Sequence, residues 1–155
     1  MVRLLTFLTL LLMGLVSGIS FSHLLQRGPK TTLPGPHFLS VQQVLLRNYG
    51  AAVGGLEVAA FLLTLLLALL VRSSAVTLAL TVIACCNVAL MILIWALWIN
   101  DINRTVNSWK PDSIPANWTE FRDRWHPLHA IRTILALMGQ GALILATLIR
   151  PEPGP

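Results

Sequence analysis

Charge is scarce in this 155-residue chain, and acidic charge scarcest. Asp, Glu, Lys and Arg make up 11% of it, six acids against eleven bases. So thin a set of charges does not suit the surface of an ordinary soluble domain. Cysteine is nearly missing: Cys85 and Cys86 are the only two, and they are adjacent. Neighbours on a helix point about 100° apart, so these two are not expected to bond to each other. There is no C-x-x-C and no H-E-x-x-H, which removes the common thiol-redox and zinc-protease signatures. The two cysteines read as small apolar packing residues. Clusters of Lys and Arg are also lacking. The net charge of +5 and pI of 10.3 therefore do not describe a phosphate-tracking surface, and nucleic acid is not an expected partner. Scattered basic residues fix topology and meet anionic lipid headgroups.

Apolar sequence is abundant instead. Hydrophobic residues make up 55% of the chain, and its mean hydropathy is +0.75. Four runs stand out: Leu4–Phe21, Gly50–Val71, Ala75–Trp98 and Ile131–Ile149. Each has about 18 to 24 residues, enough to cross a ~30 Å hydrocarbon layer. The expected architecture is all-α, a single integral membrane domain of four spans over residues 1–155, with two polar loops on one face. Arg3, the run Leu4–Val16 and Ser17-Gly18 also fit the layout of a signal peptide. The apolar stretch, however, continues through Ile19 and Phe21, and Gly14-x-x-x-Gly18 is a helix-packing spacing.

Punctuation between the runs predicts the rest. Leu24–His37, with Gly28-Pro29 and Pro34-Gly35-Pro36, reads as a loop. Ser40-Val41-Gln42-Gln43 fits a capping box opening a second helix, Val41 to Val71. Arg72-Ser73-Ser74 is a tight turn. Trp95 and Trp98 suit the interfacial aromatic belt. Asn100–Ala116 reads as a polar loop, and Asn117-Trp118-Thr119-Glu120 as a second capping box opening the last helix. Pro127 should kink or restart that helix. The tail from Arg150 to Pro155 is not helical. Sidedness is weakly written. A raw count of basic residues favours cytoplasmic long loops, whereas Arg3, Arg72 and Arg150, each close to a membrane end, point to cytoplasmic termini in a plasma membrane, the orientation expected. Asn103-Arg104-Thr105 and Asn117-Trp118-Thr119 match a glycosylation pattern that chance often produces.

Ionisable residues inside these runs carry the functional signal, because a charge in hydrocarbon costs several kcal/mol. Gln43, Arg47, Gly50, Gly54 and Glu57 share one face of the second helix. Starting from Tyr49, Glu57 lies about 12 Å down that helix at 1.5 Å per residue. Arg122, His126, His129 and Thr133 form a similar stripe on the last helix, overlapped by His129, Arg132, Ala136 and Gly139. Arg132 falls about 9 Å beyond His126. A Glu57–Arg132 ion pair is therefore expected. His23, His126 and His129 converge at one membrane face. Acid–base work, metal or haem ligation, and simple hydrogen bonding to loop carbonyls all remain open for them. Asn87 is expected to hydrogen-bond between helices.

Three segments carry a family resemblance: Gly18-Ile19-Ser20-Phe21-Ser22-His23, Asn100-Asp101-Ile102-Asn103, and Trp118-x-x-Phe121-x-x-x-Trp125-x-x-x-His129-x-x-Arg132-Thr133. With them the chain resembles, over nearly its full length, the small four-helix membrane proteins grouped with fungal anthrone oxygenases. The resemblance implies a pocket near the long-loop face and oxidation of a lipophilic aromatic or quinone-type molecule by O2 without a metal. It implies His129 or His126 as base and Arg132 as holder of the resulting anion. Substrate contacts fall to His23, Glu57, Arg47, Trp118, Phe121 and Trp125. No cofactor is expected, with a haem or copper redox module as one alternative. A non-enzymatic carrier or accessory protein is the other. The expected partners are the bilayer and a lipophilic small molecule, and oligomeric state is not encoded legibly.

Overall fold

Among the residues described by a computed structural model, 1–72 and 74–149, six α-helices carry the chain. They are α1 (Val2–Thr31), α2 (Gly35–Ser40), α3 (Tyr49–Leu70), α4 (Ala75–Ile94), α5 (Asn100–Ser108) and α6 (Trp118–Leu148). Two π-helical turns, Val41–Leu45 and Trp95–Ile99, follow α2 and α4, and a 3-10 turn covers Pro111–Ser113. Four stretches are long and apolar enough to cross a membrane: Val2–Thr31, Tyr49–Leu70, Ala75–Ser108 and Trp118–Leu148. The protein is an all-α, four-span membrane bundle.

Its exterior is greasier than its interior. Leu4, Phe7, Leu11 and Leu15 lie exposed along α1, while Thr9, Met13, Val16, Ser17, Ser20 and His23 turn inward. Lipid is as apolar as leucine, so nothing drives leucine inward, and small or hydroxylated residues hold the helices together. Thr133 Oγ1 on α6 donates to the Ser20 carbonyl of α1 at 2.8 Å, and Ser17 Oγ returns a bond to the Ala136 carbonyl at 3.3 Å. Gly139 brings α6 close to its neighbours. A Cβ there would sit 3.1 Å from Met13 Cε and 3.4 Å from Asn87 Cβ. Around the bundle, α6 packs on α1 and α4, and α3 packs on the same two helices. α3 and α6 therefore face each other across the centre.

Several local expectations are corrected. α1 does not stop near Phe21 but runs through Gly28-Pro29 to Thr31. Pro29 falls in the last turn and costs the helix a single donor to the preceding turn. The second helix is not continuous. Ser40 caps nothing, its hydroxyl donating back to the Pro36 carbonyl at 3.0 Å, and the chain leaves helical geometry at Leu46 before α3 begins. α5 replaces most of the expected loop after residue 100, burying Ile102 and Val106 one turn apart. Asn117 stands before α6 without accepting a backbone cap bond. Asn87 bonds the Ile83 carbonyl of its own helix at 2.8 Å rather than a neighbour. Gly14 and Gly18 meet nothing within the bundle. Pro127 does not restart the last helix, since α6 continues through it. Cys85 and Cys86 are unbonded, one buried and one exposed. Ser73 of the expected turn and the tail from residue 150 lie outside the described residues. Ser74 on that turn does cap α4, accepting from the Thr77 amide at 3.4 Å.

α2, α5, the 3-10 turn and the start of α6 build a cap over one end of the bundle. It has its own apolar core of Phe38, Leu39, Ile99, Ile102, Val106 and Trp125. Gln43 ties it down, its amide donating to the carbonyls of Val106 and Trp109 at 3.0 Å each.

Candidate functional site

Between the bundle core and the cap core lies a cavity of about 190 Å³. Its deep end is polar. Arg132 Nη2 donates to Glu57 Oε1, an ion pair across the bundle centre, with both residues at least 96% buried. The expected pair thus forms, although α3 and α6 are not packed neighbours; the long guanidinium side chain bridges the diagonal. Among the described residues Arg132 Nε has no partner.

Above the pair sits a group of rings. The imidazoles of His23 and His129 lie 4.3 Å apart between centroids, and His129 packs against the Trp125 ring at 4.0 Å with a 40° tilt. Tyr49 meets His23 edge-on at 5.9 Å. The Trp125 indole N–H donates to Asn103 Oδ1 at 3.0 Å, which ties α6 to α5. His23 Nδ1 and His129 Nε2 are buried without partners among the described residues. Imidazole nitrogens left without partners inside a protein are uncommon and call for a reason. Lys30 Nζ stands 5.1 Å over the Trp125 ring and likewise has no hydrogen-bond partner there.

The two π-helical turns shape this space. Residues in or beside them, Gln42, Leu46, Trp95 and Asn100, all line the cavity. A π turn inserts an extra residue per turn and re-aims the side chains after it, and such turns often mark functional sites. Glycine supplies the room. A Cβ on Gly50 would touch Trp95 at 3.6 Å, whereas one on Gly54 would meet nothing.

Of the residues singled out from sequence, His23, Arg47, Glu57, Phe121, Trp125, His129 and Arg132 line this one cavity. His126 and Trp118 do not. His126 is buried on the α1–α6 seam, where Lys30 and Arg27 are its charged neighbours. Trp118 belongs to the cap. It packs against Phe38 at 5.4 Å with a 37° tilt, carries the Arg122 guanidinium over its ring at 5.1 Å, and leaves room for nothing larger than Gly35 beside it. Arg122 also donates to Asp123 at 2.8 Å.

Sequence reasoning missed Trp95, which lines the cavity rather than serving only the aromatic belt, and also Tyr49, Arg104 and Lys30. Asn100 and Asn103 carried a family signal but no assigned role. Among the described residues no group of three His, Cys, Asp or Glu is placed to hold a metal ion. No family model, curated protein or solved structure matches the chain.

Proposed function

We propose that this membrane protein binds a small aromatic molecule bearing a phenolic or enolisable oxygen and oxidises it with O2, as the resemblance to anthrone oxygenases implies. The observation that carries the reading is the placement of His129 and His23 against Trp125 in the cavity that Arg132 also lines. His129 takes the O–H or activated C–H proton, with His23 as the second imidazole. The resulting anion rests near Arg132, and Trp125 and Phe121 wall the ring. For a hydroquinone, two electrons pass to O2 and both protons follow, giving quinone and hydrogen peroxide. His126 plays no part in this scheme, since it does not line the cavity. A cavity of ~150 Å³ holds benzene, so about 190 Å³ suits one substituted ring. A three-ring anthrone requires the site to widen. In a plasma membrane with cytoplasmic termini, the cap and the cavity face the exterior.

Oxygen uptake by the detergent-purified protein with hydroquinones tests this. Positioned bases contribute ~10²–10⁴-fold. His129→Ala should therefore lose at least a hundredfold while His126→Ala keeps its rate. Wild-type turnover in His129→Ala refutes the scheme. A carrier that binds the same ring without chemistry is the second reading. It is favoured by the Arg132–Glu57 pair, which already neutralises the guanidinium charge that would otherwise hold an anion. Ring binding without oxygen uptake would establish it.

A further inference from the structure

Charge is unevenly spread along the cavity. Three arginines and one glutamate line it. Arg132 is neutralised by Glu57 at the deep end. The other two, Arg47 and Arg104, are exposed at the mouth, and neither is in an ion pair among the described residues. Among those residues, no acid lines the mouth beside them.

Amides accompany the arginines. Asn100, Asn103 and Asn107 line the same end. The orientation of Asn103 is set by its neighbour. The Trp125 indole can only donate, so Asn103 presents its oxygen to it and its NH2 is left to donate elsewhere. That NH2 has no protein acceptor among the described residues. The mouth thus offers cations and amide donors, while Trp95, Phe121 and Trp125 offer ring faces further in.

The position of the mouth matters as much as its chemistry. Arg47 precedes α3, and Arg104 and Asn107 lie on α5, in the cap rather than in the four apolar runs. Exposed arginines and amides at this mouth favour a ligand arriving from water over one arriving from the hydrocarbon. A long-tailed membrane quinone would have to pass its tail between exposed arginines.

We infer that the cavity takes a small, water-soluble aromatic acid. Its ring sits among the indoles and its carboxylate lies at Arg47 and Arg104. This rests on the proposed binding of a phenolic ring in the cavity, and it narrows the class of ring. An arginine about 6 Å from a carboxylate in water changes affinity about threefold, so two give about tenfold. The effect should shrink as salt screens the exposed charges.

The test is equilibrium binding of 2,5-dihydroxybenzoate and its neutral analogue 2,5-dihydroxybenzamide to the full chain in non-ionic detergent. Wild type should bind the acid about tenfold more tightly than the amide at low salt. Arg47→Gln/Arg104→Gln should lose the preference and bind both alike. Both positions are exposed, so the variant keeps the fold, and an unchanged thermal melt verifies that. Equal affinity of wild type for acid and amide overturns the inference and leaves the proposed ring binding standing. A preference for the acid that survives in the double variant also overturns it. If neither compound binds wild type, the ring binding itself falls, and this inference with it.

Discussion

Replacing Arg132 with methionine should be far more damaging than replacing Arg132 and Glu57 together. Glu57 is 2% exposed and Arg132 4%. The carboxylate lies about 12 Å along α3 from Tyr49. Removing the guanidinium leaves a buried carboxylate without its partner, a change that costs about 3–5 kcal/mol in comparable buried pairs. Glu57→Gln preserves an acceptor for Arg132 but leaves the guanidinium charge unbalanced. The double variant Glu57→Gln/Arg132→Met buries no charge at all, and such neutral replacements of buried pairs are often close to neutral in stability. The expected coupling between the sites is therefore about 3 kcal/mol, well above the ~0.5 kcal/mol scatter of independent sites. Five tryptophans make the protein's own fluorescence a convenient reporter of thermal unfolding in detergent. At ~2–4 °C per kcal/mol for a chain of this size, Arg132→Met should melt about 10 °C below wild type. The double variant should recover most of that loss. Additive losses, with the double variant worse than either single, would show that the two groups do not stabilise each other and would refute the reasoning.

Two glycines should respond in opposite ways to one change. Gly54→Leu projects into open cavity space, so it should weaken ring binding at least tenfold in a titration while the melting temperature holds. Gly139→Leu drives its side chain into Met13, Asn87 and the Ala84 carbonyl. Overpacking of that kind costs about 3 kcal/mol and should lower the melting temperature. Gln43→Ala removes the bonds to Val106 and Trp109 that anchor the end of α5. At roughly 1 kcal/mol per bond, amide exchange at that end should quicken about tenfold or more, measured by mass spectrometry, with the bundle amides unaffected.

The four spans are legible because lipid imposes a length and a hydropathy that local sequence cannot disguise. The cap is not, because its cues compete. Asn100, Asp101, Asn103 and Arg104 make the segment look like a polar loop. Yet Ile99, Ile102 and Val106 recur at helical spacing and bury themselves against Phe38 and Trp125. An amphipathic helix attached to a span, as short as α5, is easily read as the span's exit. Pro29 misleads in the opposite direction. A proline in the final turn removes one N–H donor to the preceding turn, and α1 nevertheless passes through it. At Ser40 the capping pattern is present, but Pro36 has already started a helix one turn earlier, and the hydroxyl bonds backward into it.

The deep half of the site is legible for the same reason as the spans. In a segment where every uncharged neighbour is cheap to bury, a glutamate or an arginine is tolerated only with a partner, so Glu57 and Arg132 announce each other. Histidine carries no such constraint, because a neutral imidazole buries more easily. That is why His23, His126 and His129 look alike in sequence while only His23 and His129 reach the cavity. The π turns decide the remainder. Val41–Leu45 and Trp95–Ile99 each rotate the residues beyond them, so Trp95 and Asn100 line the cavity while Trp98 stays 48% exposed on the outside. A regular helical wheel drawn through either turn puts these residues out of phase. Where a membrane helix must open a hollow without breaking its hydrogen-bond ladder, inserting a residue is cheaper than ending the helix. Trp95–Ile99, between α4 and α5, is such an insertion, and the hollow in this protein lies beside it.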